Sequence, residues 1–466
     1  MTIAIVALML LAYLLIASEH VTNINKAATA MFAGVVGWIL YMCVGTEFVY
    51  RMHSQEFLDF LAGAPYTVSA AKEFIATHVF VRYSAFIGGI VLYLLTTMAI
   101  VDVLSNNGCF DFVTRLLRVR STTRILWGFV LVTFLISANF DNLTTAVLML
   151  VIMRRLLANE KQRRYVGACI VVAACAGGSF TVIGDVTSLM VWSREAVTPT
   201  DFSGALILPA LVGTMVPTIL VRQCLPEYLD INRSHVIYRG DDSQMPLWQR
   251  LTMLFFGIGG LWFVPSFHRI TALPPFLGSL CVLGVLWVLN EIFNRRSIRT
   301  EQPMLLPGSD RRLHYEVLQV IMFFIGVSLA VSVLVEVGAM EACARWLDTY
   351  IHDIYVFSVF IGVVSAFLDN IALVLSAINI YEVLPPDAGA SVYAQMFQQN
   401  GQYWHLVVIS GCLGGCLLPI GNTAGYAFLR SEDAGLWWWI RHITMKVLLG
   451  WTAALVTYFI VDFFIR

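Results

Sequence analysis

The sequence predicts an all-α polytopic membrane protein, with about ten transmembrane segments and two re-entrant helical hairpins arranged as two inverted repeats. Three observations lead there. Of 466 residues, 59% are hydrophobic and only 13% charged, with mean hydropathy +0.77; a soluble domain carries about 25% charged residues. The apolar residues come in blocks of roughly 20, the length that crosses about 30 Å of hydrocarbon. Two polar motifs interrupt these blocks at matching places, SANFDN at 137–142 and SAFLDN at 365–370.

The blocks fall near 2–17, 27–45, 79–104, 122–158, 165–195, 203–223, 248–266, 273–293, 315–338, 354–381, 404–430 and 438–464. The first, MTIAIVALMLLAYLLIA, has no basic start and no small-residue cleavage motif, and reads as a retained helix. Glu19, His20 and Lys26 follow in a short loop and read as solvated. Segments 122–158 and 354–381 are too long or too interrupted for one helix, and each holds Asp-Asn near its middle. They read as hairpins that enter and leave on one side, because irregular backbone at membrane depth is tolerated only inside protein or beside a cavity. Segments 165–195 and 404–430 carry Gly-Gly and a later Gly, and read as discontinuous helices. Asp102 and Glu336, late in their helices, read as interfacial; Arg194–Glu195 as a surface pair or headgroup contact; and WWWI at 437–440 as an interface belt.

Orientation follows from Lys and Arg. If the hairpin at 122–158 opens to the cytoplasm, the basic segments 105–122, 154–164, 222–250 and 294–314 all lie inside. The opposite side receives Arg51 and Lys72 in 46–78, and no Lys or Arg in 382–403. That bias obeys the positive-inside rule and places both termini outside.

The two halves align. Gly108, Asp111 and Arg115 match Gly338, Glu341 and Arg345 at an offset of 230. Ser137, Asp141 and Asn142 match Ser365, Asp369 and Asn370 at an offset of 228. Gly184 and Asp185 match Gly421 and Asn422 at an offset of 237. The expected division is 1–224, a cytoplasmic linker at 225–247, and 248–466. Five crossings and a hairpin per half invert the second half, a pattern of secondary transporters.

Composition excludes other classes. A net charge of −1 implies no nucleic-acid partner. Nine cysteines show no metal-ligand spacing; even Cys412 and Cys416, one turn apart, read as small buried thiols. No nucleophile–base pair suggests an enzyme, and no cofactor is expected.

Polar residues inside a membrane are costly, which marks them as functional. At the first break, oxygens of Ser137, Asp141, Asn142, Thr144 and Thr145, with Asp185, Thr187 and Ser188 from the broken helix, can complete a hard-cation shell. Na+ is expected at Asp141, Asn142, Asp185 and Thr187. Two carboxylates in one cavity cannot both ionise freely, so one proton can be held there until a cation displaces it. The second break offers Ser365, Asp369, Asn370, Asn422 and Thr423. With Asn422 in the place of Asp185, it suits neutral coordination or gating. A structural alternative for Asp141 and Asp369 is helix capping.

SANFDNLTTAVLM, GGSFTVIGDVTSLMVW and SAFLDN resemble the motifs of NhaD-type sodium/proton antiporters, of the ion transporter superfamily with its citrate-transporter-like domain. The resemblance spans about 80–430. It implies Na+(Li+)/H+ exchange in a bacterial inner membrane, by a homodimer with scaffold and transport domains. It also implies an ion site at Ser137, Asp141, Asn142, Asp185, Thr187, Ser188, Ser365 and Asn370. The chain departs from the pattern at Cys175, where Asn is usual, at Ser188 within GDVTS, at Cys416, where Ser is usual, and in PIGNTAG. The same superfamily offers the alternative, Na+-coupled symport of an organic or inorganic anion held at helix N-termini.

Overall fold

The computed structural model describes residues 2–22, 24–63, 65–117, 121–232, 245–294, 308–385 and 391–465. The basic stretches at 118–120, 233–244 and 295–307 lie outside these. The described residues form helices joined by turns, with isolated β-bridges and no strand. Helices α1 (Thr2–Ala17), α2 (Lys26–Met52) and α3 (Phe80–Asn106) come first. A hairpin of α4 (Thr122–Ser137) and α5 (Asn142–Leu156) follows. Next come a broken helix, α6 (Glu160–Ser179) and α7 (Val186–Ser193), and then α8 (Pro199–Arg222).

The order then recurs. Helices α9 (Leu247–Thr271), α10 (Pro275–Asn294) and α11 (Gly308–Glu336) precede a second hairpin, α12 (Ile354–Ser365) and α13 (Asn370–Ile378). A second broken helix, α14 (Gln402–Gly415) and α15 (Thr423–Glu432), leads to α16 (Met445–Ile465). Seven helical stretches among the described residues are long and apolar enough to cross a membrane. Large apolar side chains such as Leu14, Phe255, Trp287 and Phe463 stand exposed on outer faces, as hydrocarbon surroundings allow. The protein is an all-α polytopic membrane protein.

The helices pack in two groups. In one, α2 runs along α11 with α1 beside them, and α3 joins α9 and α10. In the other, α6 lies against α4, α5, α8, α14 and α15, while α12 and α13 flank α14, and α16 runs along α8. The groups meet where α11 touches α13 and where α3 touches α7.

The first hairpin is closed at its open end by a crossing segment. Ser121 bridges to Tyr228 and Leu157 to Ile231, and Thr122 Oγ1 donates to Pro226 O at 2.6 Å. Leu384 bridges to Gln398 below the second hairpin. At the end of α15 the fully buried Glu432 carboxylate meets Arg163 Nε at 2.8 Å and Arg154 Nε at 3.6 Å, tying α15 to α6 and α5. Removing one partner of a buried ion pair leaves an uncompensated charge, at a cost of about 3–5 kcal/mol. Arg163→Ala is therefore expected to lower the thermal unfolding midpoint of the detergent-solubilised protein sharply, and Arg163→Ala/Glu432→Gln to recover part of the loss.

Several side chains lie elsewhere than the sequence suggests. Arg194 is not a surface or headgroup residue: its guanidinium donates to the carbonyl of Ile378 at the end of α13. Glu336 is 2% exposed and accepts from Tyr83 OH at 2.8 Å and Tyr41 OH at 3.1 Å, with His53 Nε2 at 2.9 Å. Three partners offset the cost of burying that carboxylate. Asp102 is exposed. Of the WWWI run, Trp437 is exposed but Trp439 is buried and donates from Nε1 to Leu417 O at 3.2 Å. Thr444 Oγ1 donates to the same carbonyl at 2.8 Å, so the backbone freed at the second break is satisfied from the helical residues just before α16.

Candidate functional site

Four helix starts converge at the breaks, each capped by its own polar side chain. Helix α4 ends at Ser137, and after a three-residue turn Asp141 caps α5, its Oδ2 accepting from Leu143 N at 3.0 Å and Thr144 N at 3.4 Å. A helix start leaves backbone N–H groups unpaired, and at membrane depth a carboxylate or amide must serve where water cannot. Asp185 caps α7 in the same way, accepting from Thr187 N at 3.3 Å and from the Thr187 hydroxyl. Ser188 Oγ accepts the Asp185 N–H at 3.3 Å, which completes a capping box. The capping expected of Asp141 and Asp369 is thus observed, and extends to all four breaks.

The hairpin and the broken helix of the first half lock together. Ser137 Oγ donates to Ala174 O at 2.7 Å, and Thr181 Oγ1 donates to Ala138 O at 2.6 Å. The crossing is close enough to need glycine. A Cβ on Gly184 would lie 2.7 Å from Ser137 O, and one on Gly178 would lie 2.7 Å from Gly184 O.

The second half repeats these contacts. Asp369 caps α13, accepting from Ile371 N at 3.0 Å. Asn422 caps α15, its Oδ1 accepting from Gly425 N at 2.7 Å while Nδ2 donates to Gly415 O at 3.0 Å. Ser365 Oγ donates to Gly411 O at 2.7 Å, as Ser137 does to Ala174, and Gly421 crosses Ser365 as Gly184 crosses Ser137.

Of the residues singled out as ligands, Ser137, Asp141, Asn142, Thr145, Asp185, Thr187, Ser188, Ser365, Asp369, Asn370, Asn422 and Thr423 are buried, and Thr144 is half-buried. Asp185 is close enough to Asp141 for their like charges to interact. Two oxygens in the first hairpin turn, Asn139 Oδ1 and Thr144 Oγ1, are buried with no hydrogen-bond partner among the described residues. Unpaired buried oxygens are costly and are what a hard cation would satisfy. Among the described residues no three His, Cys, Asp or Glu side chains are grouped to hold a metal, so any cation here would rest largely on hydroxyl, amide and backbone oxygens.

Five residues do more here than the sequence reading assigned them. Asn139 was visible in SANFDN, but its free oxygen depends on Nδ2 being spent on Leu135 O at 3.0 Å. Cys412 is not merely a buried thiol: its Sγ lies 3.5 Å from Asp185 Oδ2 and 3.2 Å from Thr187 Oγ1. Cys416 accepts from Asn422 Nδ2 at 3.6 Å and faces Cys175. The signal was the Cys412–Cys416 spacing of one turn on a helix leading into a break. Trp439 completes the second break from a distant helix. Lys26 is the fifth, and its expected solvation is overturned. Its Nζ lies 2.5 Å from Asp369 Oδ2 and 4.8 Å from the ring centroids of both Phe323 and Tyr426. The buried aspartate draws the lysine inward and leaves its side chain only slightly exposed.

A family model described as "Citrate transporter" matches residues 1–409. "Sodium/proton antiporter 2" of Arabidopsis thaliana is 31% identical over 377 residues, covering 80% of this chain and 86% of that protein. "Na(+)/H(+) antiporter NhaD" of Halomonas elongata is 26% identical over 488 residues, covering 98% of this chain and 88% of that protein. Among solved structures, the YdaH transporter of Alcanivorax borkumensis resembles the chain with a TM-score of 0.52 at 15% identity, covering 84% of this chain and 89% of that one.

Proposed function

The chain belongs to the citrate transporter family, among the NhaD-type sodium/proton antiporters, and from that premise we propose that it exchanges Na+ or Li+ for protons at Asp141 and Asp185. The observation that carries this reading is the chemistry of the caps. Three of the four converging helix starts bear a carboxylate, Asp141, Asp185 and Asp369. A helix N-terminus attracts an anion when its N–H groups are vacant. Here those groups face aspartate, which repels an anionic substrate and attracts a cation. The anion-symport alternative, to which the family's description points, is disfavoured on that ground.

In the proposed cycle, protons and Na+ compete for the Asp141–Asp185 pair. A proton on one carboxylate relieves like-charge repulsion. Na+ displaces it, taking oxygens of Asn139, Asn142, Thr144 and Thr187 as further ligands. The two halves act as inverted repeats, 1–224 and 248–466, with the linker and the open end of the first hairpin on the cytoplasmic side and both termini outside. Exposure of the site alternates as the hairpin group moves against the other helices.

The test is direct. In vesicles holding a pH-sensitive dye, the purified protein should move protons when Na+ or Li+ is added with no organic anion present. Na+-dependent uptake of labelled dicarboxylate without such proton movement would sink the proposal. A finer prediction concerns Cys412. Oxygen binds an alkali cation better than sulfur, so Cys412→Ser should lower the Na+ concentration for half-maximal exchange; an unchanged value would place Cys412 outside the ion's reach.

A further inference from the structure

We infer that Lys26 is a tethered cation of the second half-site: its ammonium holds the position at Asp369 that Na+ would otherwise take, confining the exchanged ion to Asp141 and Asp185. The inference rests on the cation-exchange reading and concerns the half-site which that reading leaves idle.

The lysine is built into its place. Lys26 begins α2, whose start is capped by Asn25 Oδ1 accepting from Ala27 N at 2.8 Å. Its side chain is 12% exposed and that of Asp369 is 2% exposed, with 2.5 Å between Nζ and Oδ2. Phe323 from α11 and Tyr426 from α15 each put a ring 4.8 Å from the ammonium. Aromatic faces attract a desolvated cation and exclude the water that would screen the pair. A carboxylate and two aromatic faces around one positive centre make a cation site, and the cation is covalently attached.

The halves differ on this point. Asp141 and Asp185 have no Lys, Arg or His within ion-pair distance among the described residues, whereas Asp369 does. The first half-site therefore holds two carboxylates that lack a counter-ion, and the second holds a carboxylate already matched and an amide, Asn422. Only the first has a formal need for an added cation.

Location adds a consequence. Lys26 belongs to the α1–α2–α11 group and Asp369 to the hairpin group, so the pair spans the boundary across which the groups would move. Lys26 also lines a cleft with Gln319, Tyr426 and the exposed Arg430, bordered by the buried Leu143 and Thr423 at the starts of α5 and α15. Lys26 thus stands at a cleft that borders the first turns of α5 and α15.

Equilibrium dialysis of the purified full chain with radiolabelled Na+ tests this. Lys26→Met keeps side-chain length and removes the charge, so it should bind one more Na+ per chain than the wild type. Asp369→Asn should leave the number unchanged, and Lys26→Met/Asp369→Asn should return it to the wild-type value. Loss of one Na+ in Asp369→Asn would overturn the inference, as would a folded Lys26→Met with no gain. If Lys26→Met does not fold, the Asp369→Asn count decides alone. Failure of the exchange reading shows separately, as wild-type Na+ binding that Asp141→Asn does not reduce.

Discussion

Asp141→Asn and Asp185→Asn are each expected to abolish cation-driven proton movement in vesicles, down to the level of protein-free membranes, while leaving the fold intact. The two parts of the expectation have separate physical reasons. Both aspartates are helix caps, and Asn caps a helix about as well as Asp. The chain itself supplies the precedent, since Asn422 caps α15 with the Oδ1–Gly425 N bond at 2.7 Å in the place matched to Asp185. Thermal midpoints should therefore stay close to wild type. What the substitution removes is the charge and the exchangeable proton. With one carboxylate left there is no like-charge pair from which Na+ can displace a proton. A purely structural role would give the reverse pattern, with altered stability and retained exchange.

The second large effect is steric. Gly184→Ala puts a methyl group 2.7 Å from Ser137 O and 2.9 Å from Gly178 Cα, and Gly178→Ala meets Gly184 O at 2.7 Å and the Asn142 amide oxygen. Each methyl meets backbone as well as a side-chain oxygen, so turning a side chain aside is not enough and the hairpin must shift away from the broken helix. Overpacking of this kind costs about 1–3 kcal/mol, and a shift of several tenths of an ångström pulls the Asp141 and Asp185 caps apart. Both variants should show a lower thermal midpoint and exchange reduced at least tenfold. Gly204 is the control. An added Cβ there meets nothing within 4 Å, and the residue lies in the interior of α8. Gly204→Ala should be neutral or slightly stabilising, because glycine weakens a helix interior.

Much of this molecule was legible in the sequence because a membrane makes polar residues expensive. SANFDN and SAFLDN stood out as interruptions, and the structure places a hairpin turn at each. The glycines of GGSFTVIGD and GGCLLPIGN marked breaks, since only a missing side chain lets two backbones cross so closely. Contacts between residues distant in sequence were not legible. Lys26 and Asp369 are 343 positions apart, and nothing local tells a lysine at a helix start from a solvated one. Trp439 read as a belt residue because it lies in one run with Trp437; burial of one and exposure of the other depend on how the helical residues before α16 approach the second break. Cys412 had the composition of a core residue, and its contact with Asp185 arises only when the two broken helices are brought together.

The central claim is that Na+ and protons compete for Asp141 and Asp185. It is tested most directly by adding Na+ to the purified protein in weakly buffered detergent solution and recording protons released with a pH indicator. Competition predicts proton release that saturates with Na+, a half-saturating Na+ concentration that falls as pH rises, and no release in Asp141→Asn/Asp185→Asn. Saturable Na+ binding without proton release, or release that persists in the double variant, would contradict it.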